Sequence, residues 1–198
     1  AGQSQGIYRL NFDSATGQID AKPLQVIKSD NPSWLTLSKD QRYLFAVNEN
    51  GPGQSDPVGR VSSYAIDPKT HELSLINQVQ SLGNEPTHSS LSADASHLFV
   101  SNYSVAEDPG GTLAVFPVSA DSALKPEAQM SSHPASRVNP ERQMSSHVHS
   151  TVSSPDGRYV FSNDLGADRV FAYRFDPKAN PDLPLAPANA AFVQLPAG

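Results

Sequence analysis

His147 and His149 stand two residues apart in the run His147-Val-His-Ser150, and Arg142-Gln143 comes just before them. On a β-strand, residues i and i+2 share a face, so both imidazoles are expected to point the same way. Histidine titrates near neutrality, which suits a general base that takes a proton from water. Arg142 carries a planar guanidinium fork suited to carboxylate or phosphate; Arg137 lies nearby in the same segment. Asp164 and Asp168 bracket Leu165-Gly166-Ala167. A carboxylate there can orient an imidazole, as in hydrolytic triads, or simply bond to its own turn. For each of these residues a structural reading stands beside the chemical one: a histidine satisfied in a core, an arginine solvated in a loop. A metal site would need two further ligands beside the histidine pair, with His88, His133, Asp164 and Asp168 as candidates. No zinc spacing is present, so no metal and no cofactor are expected. The chain has no cysteine and no Gly-x-Ser-x-Gly elbow, which removes thiol and serine-elbow nucleophiles.

The elements that must position these residues show up as repeats. Three segments read alike: Pro32 to Asn48, Pro86 to Asn102 and Val148 to Asp164. Anchored on Asp40, Asp94 and Asp156, they are spaced 54 and 62 residues apart, and Asn48, Asn102 or Asp164 follows each anchor by eight. Seven-residue strand-like runs follow in the same rhythm, at Ile7 to Asp13, Val61 to Asp67, Leu113 to Ser119 and Val170 to Asp176. A period near fifty belongs to solenoids, propellers or arrays. Within a repeat, strands are expected over Ser33–Ser38, Arg42–Asn48, Arg60–Asp67 and Leu73–Ser81. The second of these is almost wholly apolar, as a strand buried on both faces should be. The recurring anchor aspartates read as turn formers, and Trp34, the single tryptophan, as packing between repeats. With 17 prolines and no sustained 3.6-residue apolar stripe, helix is not expected. Four short strands per repeat, radially stacked, describe a β-propeller blade. Residues Ile7 to Lys28 add two strands, giving fourteen, or three and a half blades. Met130 to Ser146 reads as an insertion between an outer strand and the next inner one, and it explains the longer spacing of 62.

Composition narrows the function classes. The chain has 198 residues, 14 Lys+Arg against 20 Asp+Glu, and a formal charge of -6. That balance argues against a nucleic-acid partner, which needs clustered cations. No run of ~18 apolar residues is present, so no membrane span is expected. Ala1 to Gly6 has no basic or apolar leader region, so no signal peptide is expected in this numbering.

The series Asn139-Pro-Glu-Arg-Gln143, His147-Val-His-Ser150, Ser154-Pro-Asp-Gly-Arg-Tyr159 and Asp164-Leu-Gly-Ala-Asp-Arg-Val170 resembles the lactonase family of seven-bladed propellers. Bacterial propeller-type 6-phosphogluconolactonases are its best-known members and fungal carboxymuconate cyclases are relatives. Asn31-Pro-Ser, Ala46-Val-Asn-Glu49, Thr87-His88, Ser101-Asn-Tyr103 and Gly110-Gly111 add to the likeness. The chain departs from the family in having Ser145-Ser146 where a small residue and proline are usual, and in lacking the family's second half. The resemblance implies an all-β fold, with residues 1–198 as the N-terminal half of one seven-bladed ring. It implies a hydrolase acting on a sugar-acid lactone of the 6-phosphogluconolactone type. His149 and His147 would act as bases, with Arg142, Asp164 and Glu49 completing the catalytic group; His88, Asn102, His133, Gln143 and Asp168 would bind substrate. The alternatives are a cycloisomerase or lyase working on a muconate-type lactone, and a non-catalytic propeller that binds a partner.

Half a ring leaves two blade faces bare, and propellers avoid exposed edges by closing. A second polypeptide of similar length, arising by cleavage near Gly198, is therefore the expected partner, beside a small-molecule lactone. The lack of cysteine and the presence of only six lysines favour a periplasmic location, with the cytoplasm as the alternative.

Overall fold

The computed structural model describes residues 3–105 and 110–196. Gly198, beside which a break in the chain is expected, lies outside them. The described residues form sixteen strands, all antiparallel. The first four, β1 (Gly6–Arg9), β2 (Phe12–Asp13), β3 (Gln18–Ile19) and β4 (Gln25–Lys28), make one interrupted hairpin. β1 pairs with β4 and β2 with β3, but the two registers differ, so an irregularity divides each arm. The two strands expected there are thus present in four pieces, and the count of sixteen corresponds to the expected fourteen.

Three four-stranded sheets follow, each a simple meander. The first full blade is β5 (Pro32–Leu37), β6 (Tyr43–Asn48), β7 (Arg60–Ile66) and β8 (Leu73–Gln80). The second is β9 (Pro86–Leu91), β10 (His97–Asn102), β11 (Thr112–Pro117) and β12 (Gln129–Ser132). The third is β13 (Val148–Ser153), β14 (Tyr159–Asp164), β15 (Arg169–Phe175) and β16 (Leu185–Gln194). The innermost strands β5, β9 and β13 stand side by side. β12 already contains Met130–Ser132, so the insertion is shorter than the sequence suggested and begins at His133. Three residues of apparent linker are the end of an outer strand.

Alternation of side chains explains why the middle strands read as continuous apolar runs. In the second blade, Leu98, Val100, Ala114 and Phe116 pack with Phe45, Val47 and Val61 of the blade before. Their neighbours Phe99, Leu113 and Val115 point the other way, onto Val148, Val160, Phe171 and Leu185 of the blade after. A strand between two blades has no solvent face, so both parities must be apolar. Each such large side chain contributes about 1.5–3 kcal/mol by burial.

The anchor aspartates are turn formers, as expected. Asp40 Oδ1 accepts from the Ser38 hydroxyl and the Arg42 N–H; Asp94 does so from Ser92 and Ser96, and Asp156 from Ser154 and Arg158. Gln41, Ala95 and Gly157 follow with positive φ. These bonds lower the carboxylate pKa values; Asp156, bonded by Ser154 and then Arg158, falls to about 2.

A second recurrence bears on the site. Each inner strand opens on a β-bulge. Pro32 pairs with Asn48 but Trp34 with Val47; Pro86 pairs with Asn102 but His88 with Ser101; Val148 pairs with Asp164 but Ser150 with Asn163. Ser33, Thr87 and His149 are the surplus residues, and a bulge re-aims such a side chain.

Candidate active site

Asn48, Asn102 and Asp164 end the second strand of each blade and perform one task. Each clasps the chain that has just crossed from the previous blade. Asn48 donates to Ser29 Oγ and the Asp30 carbonyl, and Asn102 to the Ser81 carbonyl and Thr112 Oγ1. Asp164 Oδ2 accepts from His133 Nδ1 at 2.7 Å and Ser146 Oγ at 2.6 Å, while Oδ1 accepts the N–H groups of His147 and Ala167. Burial raises the Asp164 pKa, but the bonds from His133, Ser146 and His147 outweigh it and leave the carboxyl ionised below its usual range. His133 is equally occupied. Its Nε2 meets Tyr173 Oη at 2.7 Å and its ring stacks on Phe171 at 3.7 Å. Burial raises Tyr173 to about 12, so that hydroxyl keeps its proton and donates it to His133.

Three of the expected site residues are thus engaged within the protein. Asn102 is fully buried, His133 has both ring nitrogens engaged inside a blade, and Asp164 is saturated with donors. Asn102 and His133 hold blades together and lie outside the cavity that His149 borders, whereas Asp164 does the same work at that cavity's wall. Gln143 is buried too; it takes the Asn139 N–H on Oε1 and donates Nε2 to the Leu165 carbonyl and Asp168 Oδ1. It pins the insertion to the turn of the third blade. Gly166 completes the attachment, because a Cβ there would stand 1.9 Å from the Ser145 carbonyl oxygen.

The histidine pair also differs from simple alternation. His147 precedes the first residue of β13, and His149 is the bulged residue. His147 is buried, its Nδ1 2.7 Å from the Ser104 carbonyl and 3.1 Å from that of Tyr103. Carbonyls only accept, so Nδ1 carries the proton. His149 is exposed. The two rings still meet one partner: Tyr103 stacks on His147 and presents an edge to His149 at 6.1 Å. Tyr103 Oη also receives Arg142 Nη2 at 3.3 Å.

His149 and Arg142 border a cavity of about 450 Å³, whose wall also includes Gln143, Asp164, Asp168 and Arg169; Tyr103 and His147 stand outside that wall. Asp168 adopts φ 52°, and its Oδ2 is buried with no protein hydrogen bond. His88 stands on β9, the neighbouring inner strand. Its Nδ1 accepts the Thr151 N–H at 3.3 Å, and its ring lies 4.5 Å from Trp34. Trp34 does bridge two blades, through Nε1 to the Ser89 carbonyl, yet is 43 % exposed on the inner wall. Glu49 lies at the end of β6, two blades from His149, and does not border the cavity. Among the described residues no group of three or more His, Asp or Glu gathers to hold a metal. What the structure thus brings together at the cavity is His149, Arg142 and Asp168; His147, through Tyr103, and His88, on the adjacent strand, stand near them outside its wall. Tyr103 and Arg169 were missed as site residues. Tyr103 follows its clasp residue as Glu49 and Leu165 follow theirs, which was the available signal.

Comparison with known proteins agrees with this architecture. The family model described as "Lactonase, 7-bladed beta-propeller" matches residues 1–198. Curated relatives include a 6-phosphogluconolactonase of Formosa agariphila, 29 % identical over 98 % of this chain and 52 % of its own length. A 6-phosphogluconolactonase of Bacillus subtilis is 29 % identical over 87 % of this chain and 46 % of its own length. Among solved structures, one described as a periplasmic gluconolactonase of Pseudomonas aeruginosa superposes with TM-score 0.94 at 53 % identity, covering all of this chain and 53 % of that one. The chain spans about half the length of the curated relatives it matches.

Proposed function

The chain belongs to the seven-bladed β-propeller lactonase family, and from that premise we propose that it supplies half of a ring that hydrolyses a sugar-acid lactone, of the gluconolactone or 6-phosphogluconolactone type. The observation that carries the reading is the joint hold of Tyr103 on His147, His149 and Arg142 beside one cavity. A proton acceptor and an anion-binding fork border the same cavity, linked through one ring. In the reaction, water attacks the lactone carbonyl carbon as His149 takes its proton. The carbon–ring-oxygen bond then breaks, and the leaving oxygen takes the proton back. Arg142 holds the carboxylate or phosphate side of the substrate. The names of the relatives support this substrate class, and the 53 % identical relative favours a periplasmic location.

Further blades of similar total length would complete the ring. Both end faces support this. Leu35 and Leu37 of β5, and Val152 and Phe161 of the third blade, are exposed, whereas every residue of β10 in the middle blade is buried. The test is acid release in a pH-stat from δ-gluconolactone and 6-phosphogluconolactone, using the full-length protein. Rates above spontaneous hydrolysis are expected; rates equal to it for both lactones would refute the reading.

A further inference from the structure

We infer that His88 is the hydrogen-bond donor to the lactone carbonyl, working beside His149 from the adjacent inner strand. The inference deepens the lactonase reading and rests on it. Its basis is the direction in which the His88 ring is fixed. The Thr151 backbone N–H donates to Nδ1. Nδ1 must then hold a lone pair, so in the neutral ring the proton sits on Nε2. Trp34 braces the plane of the ring at 4.5 Å, and is itself held through Nε1 on the Ser89 carbonyl. Thr87, next in the chain, donates its hydroxyl to the His149 carbonyl at 3.1 Å, tying the two strand entries together.

Protonation follows from surroundings. Burial, and then the charge His149 would carry, push His88 down to about 4. At neutral pH it is an uncharged ring with one N–H to give and its other nitrogen already used. Such a ring cannot serve as the base, but it can stabilise negative charge on oxygen, as preorganised donors do. His149 has the complementary state: among the described residues its ring nitrogens have no protein hydrogen bond, so a lone pair remains for water. The two histidines divide the work. Water oxygen bonds to the carbonyl carbon while its proton passes to His149, and the carbonyl electron pair moves to oxygen facing His88 Nε2–H. When the carbon–ring-oxygen bond breaks, the proton leaves His149 for the departing oxygen. His88 begins and ends with the same proton.

The kinetic test compares H88A with H88Q in the full-length protein, since the glutamine amide reaches roughly where Nε2 lies. H88A should lower kcat by about 10²–10³-fold with KM changed far less, and H88Q should recover at least about tenfold of that loss. Equal loss in both variants, or an unaffected H88A, overturns the assignment. Imidazole ¹⁵N shifts of the wild type give a readout independent of turnover and of how the variants fold. A neutral Nε2–H ring is expected at pH 7, with Nε2 moved by the unreactive analogue glucono-δ-lactam. An Nδ1–H ring, a charged ring, or one that the lactam leaves unmoved overturns it. A wild type without lactone hydrolysis sinks the lactonase reading instead, and the lactam titration still decides His88.

Discussion

The Tyr103 ring stacks on the His147 imidazole, centroids 4.7 Å and planes 18° apart, while the Tyr103 carbonyl accepts that imidazole's Nδ1–H at 3.1 Å. His147 is therefore gripped twice by one residue, and a third time by the Ser104 carbonyl. A ring held this way is a fixed support for the tyrosine that meets Arg142 and His149. The exposed His149 above the same tyrosine is the one free to meet a substrate.

His149→Ala should lower kcat by about 10²–10⁴-fold, the usual range for a lost general base. Its thermal midpoint should stay within a few degrees of wild type, because the bulged side chain is exposed. Full activity in the variant would remove His149 from the mechanism.

Arg142→Lys keeps a positive charge and loses the fork. It should raise KM for a phosphorylated lactone more than for δ-gluconolactone. Tyr103→Phe, which frees Arg142 but keeps the ring, should act in the same direction and more weakly. Steady-state kinetics on both lactones check this; equal effects on the two substrates exclude an anion clamp.

Asp164→Ala should destabilise the fold by about 3–5 kcal/mol, since it leaves buried donors on His133, Ser146 and two backbone N–H groups unanswered. Urea unfolding measures it. A loss below about 1 kcal/mol would show that the clasp matters little.

His88 also predicts a pH effect on stability. Its folded pKa lies below the ordinary histidine value, at about 4. Between the two values the unfolded chain binds the extra proton, so stability is present above pH 6.5 and is lost as pH falls toward 4. His97 is lowered as well, by burial opposed by Asp94, so the wild type must be compared with H88Q. Denaturation midpoints at pH 7 and pH 5 should fall further in wild type than in H88Q; identical falls would contradict the neutral-ring assignment.

Native mass spectrometry of the protein as isolated should find this propeller half joined, within one chain or between two, to a further half of similar size. A lone species of about 21 kDa, stable and monomeric, would argue against ring completion.

The blades were legible because their signals are local. The aspartate turns at residues 40, 94 and 156 and the two-parity apolar runs need nothing beyond their own segments. The site was legible only in part. Asn102, His133 and Asp164 are polar residues at strand ends, and such residues read equally well as substrate ligands or as clasps. What decides between them is the crossing chain, Ser81 for Asn102 and His133 for Asp164, which is remote in sequence. The fixed two-residue alternation also failed at His147 and His149, because a bulge adds a residue without leaving a turn-like mark in the sequence.

The bulge that opens every inner strand has one more consequence. Its surplus residue takes no part in the cross-strand ladder, so pairing imposes nothing on its side chain. Ser33, Thr87 and His149 occupy this same socket in successive blades with three different chemistries. The ring resembles a turret of identical tool holders: a single substitution changes the bit while the shank stays as it was. New reactions can then be tried one blade at a time, without the core ever being renegotiated.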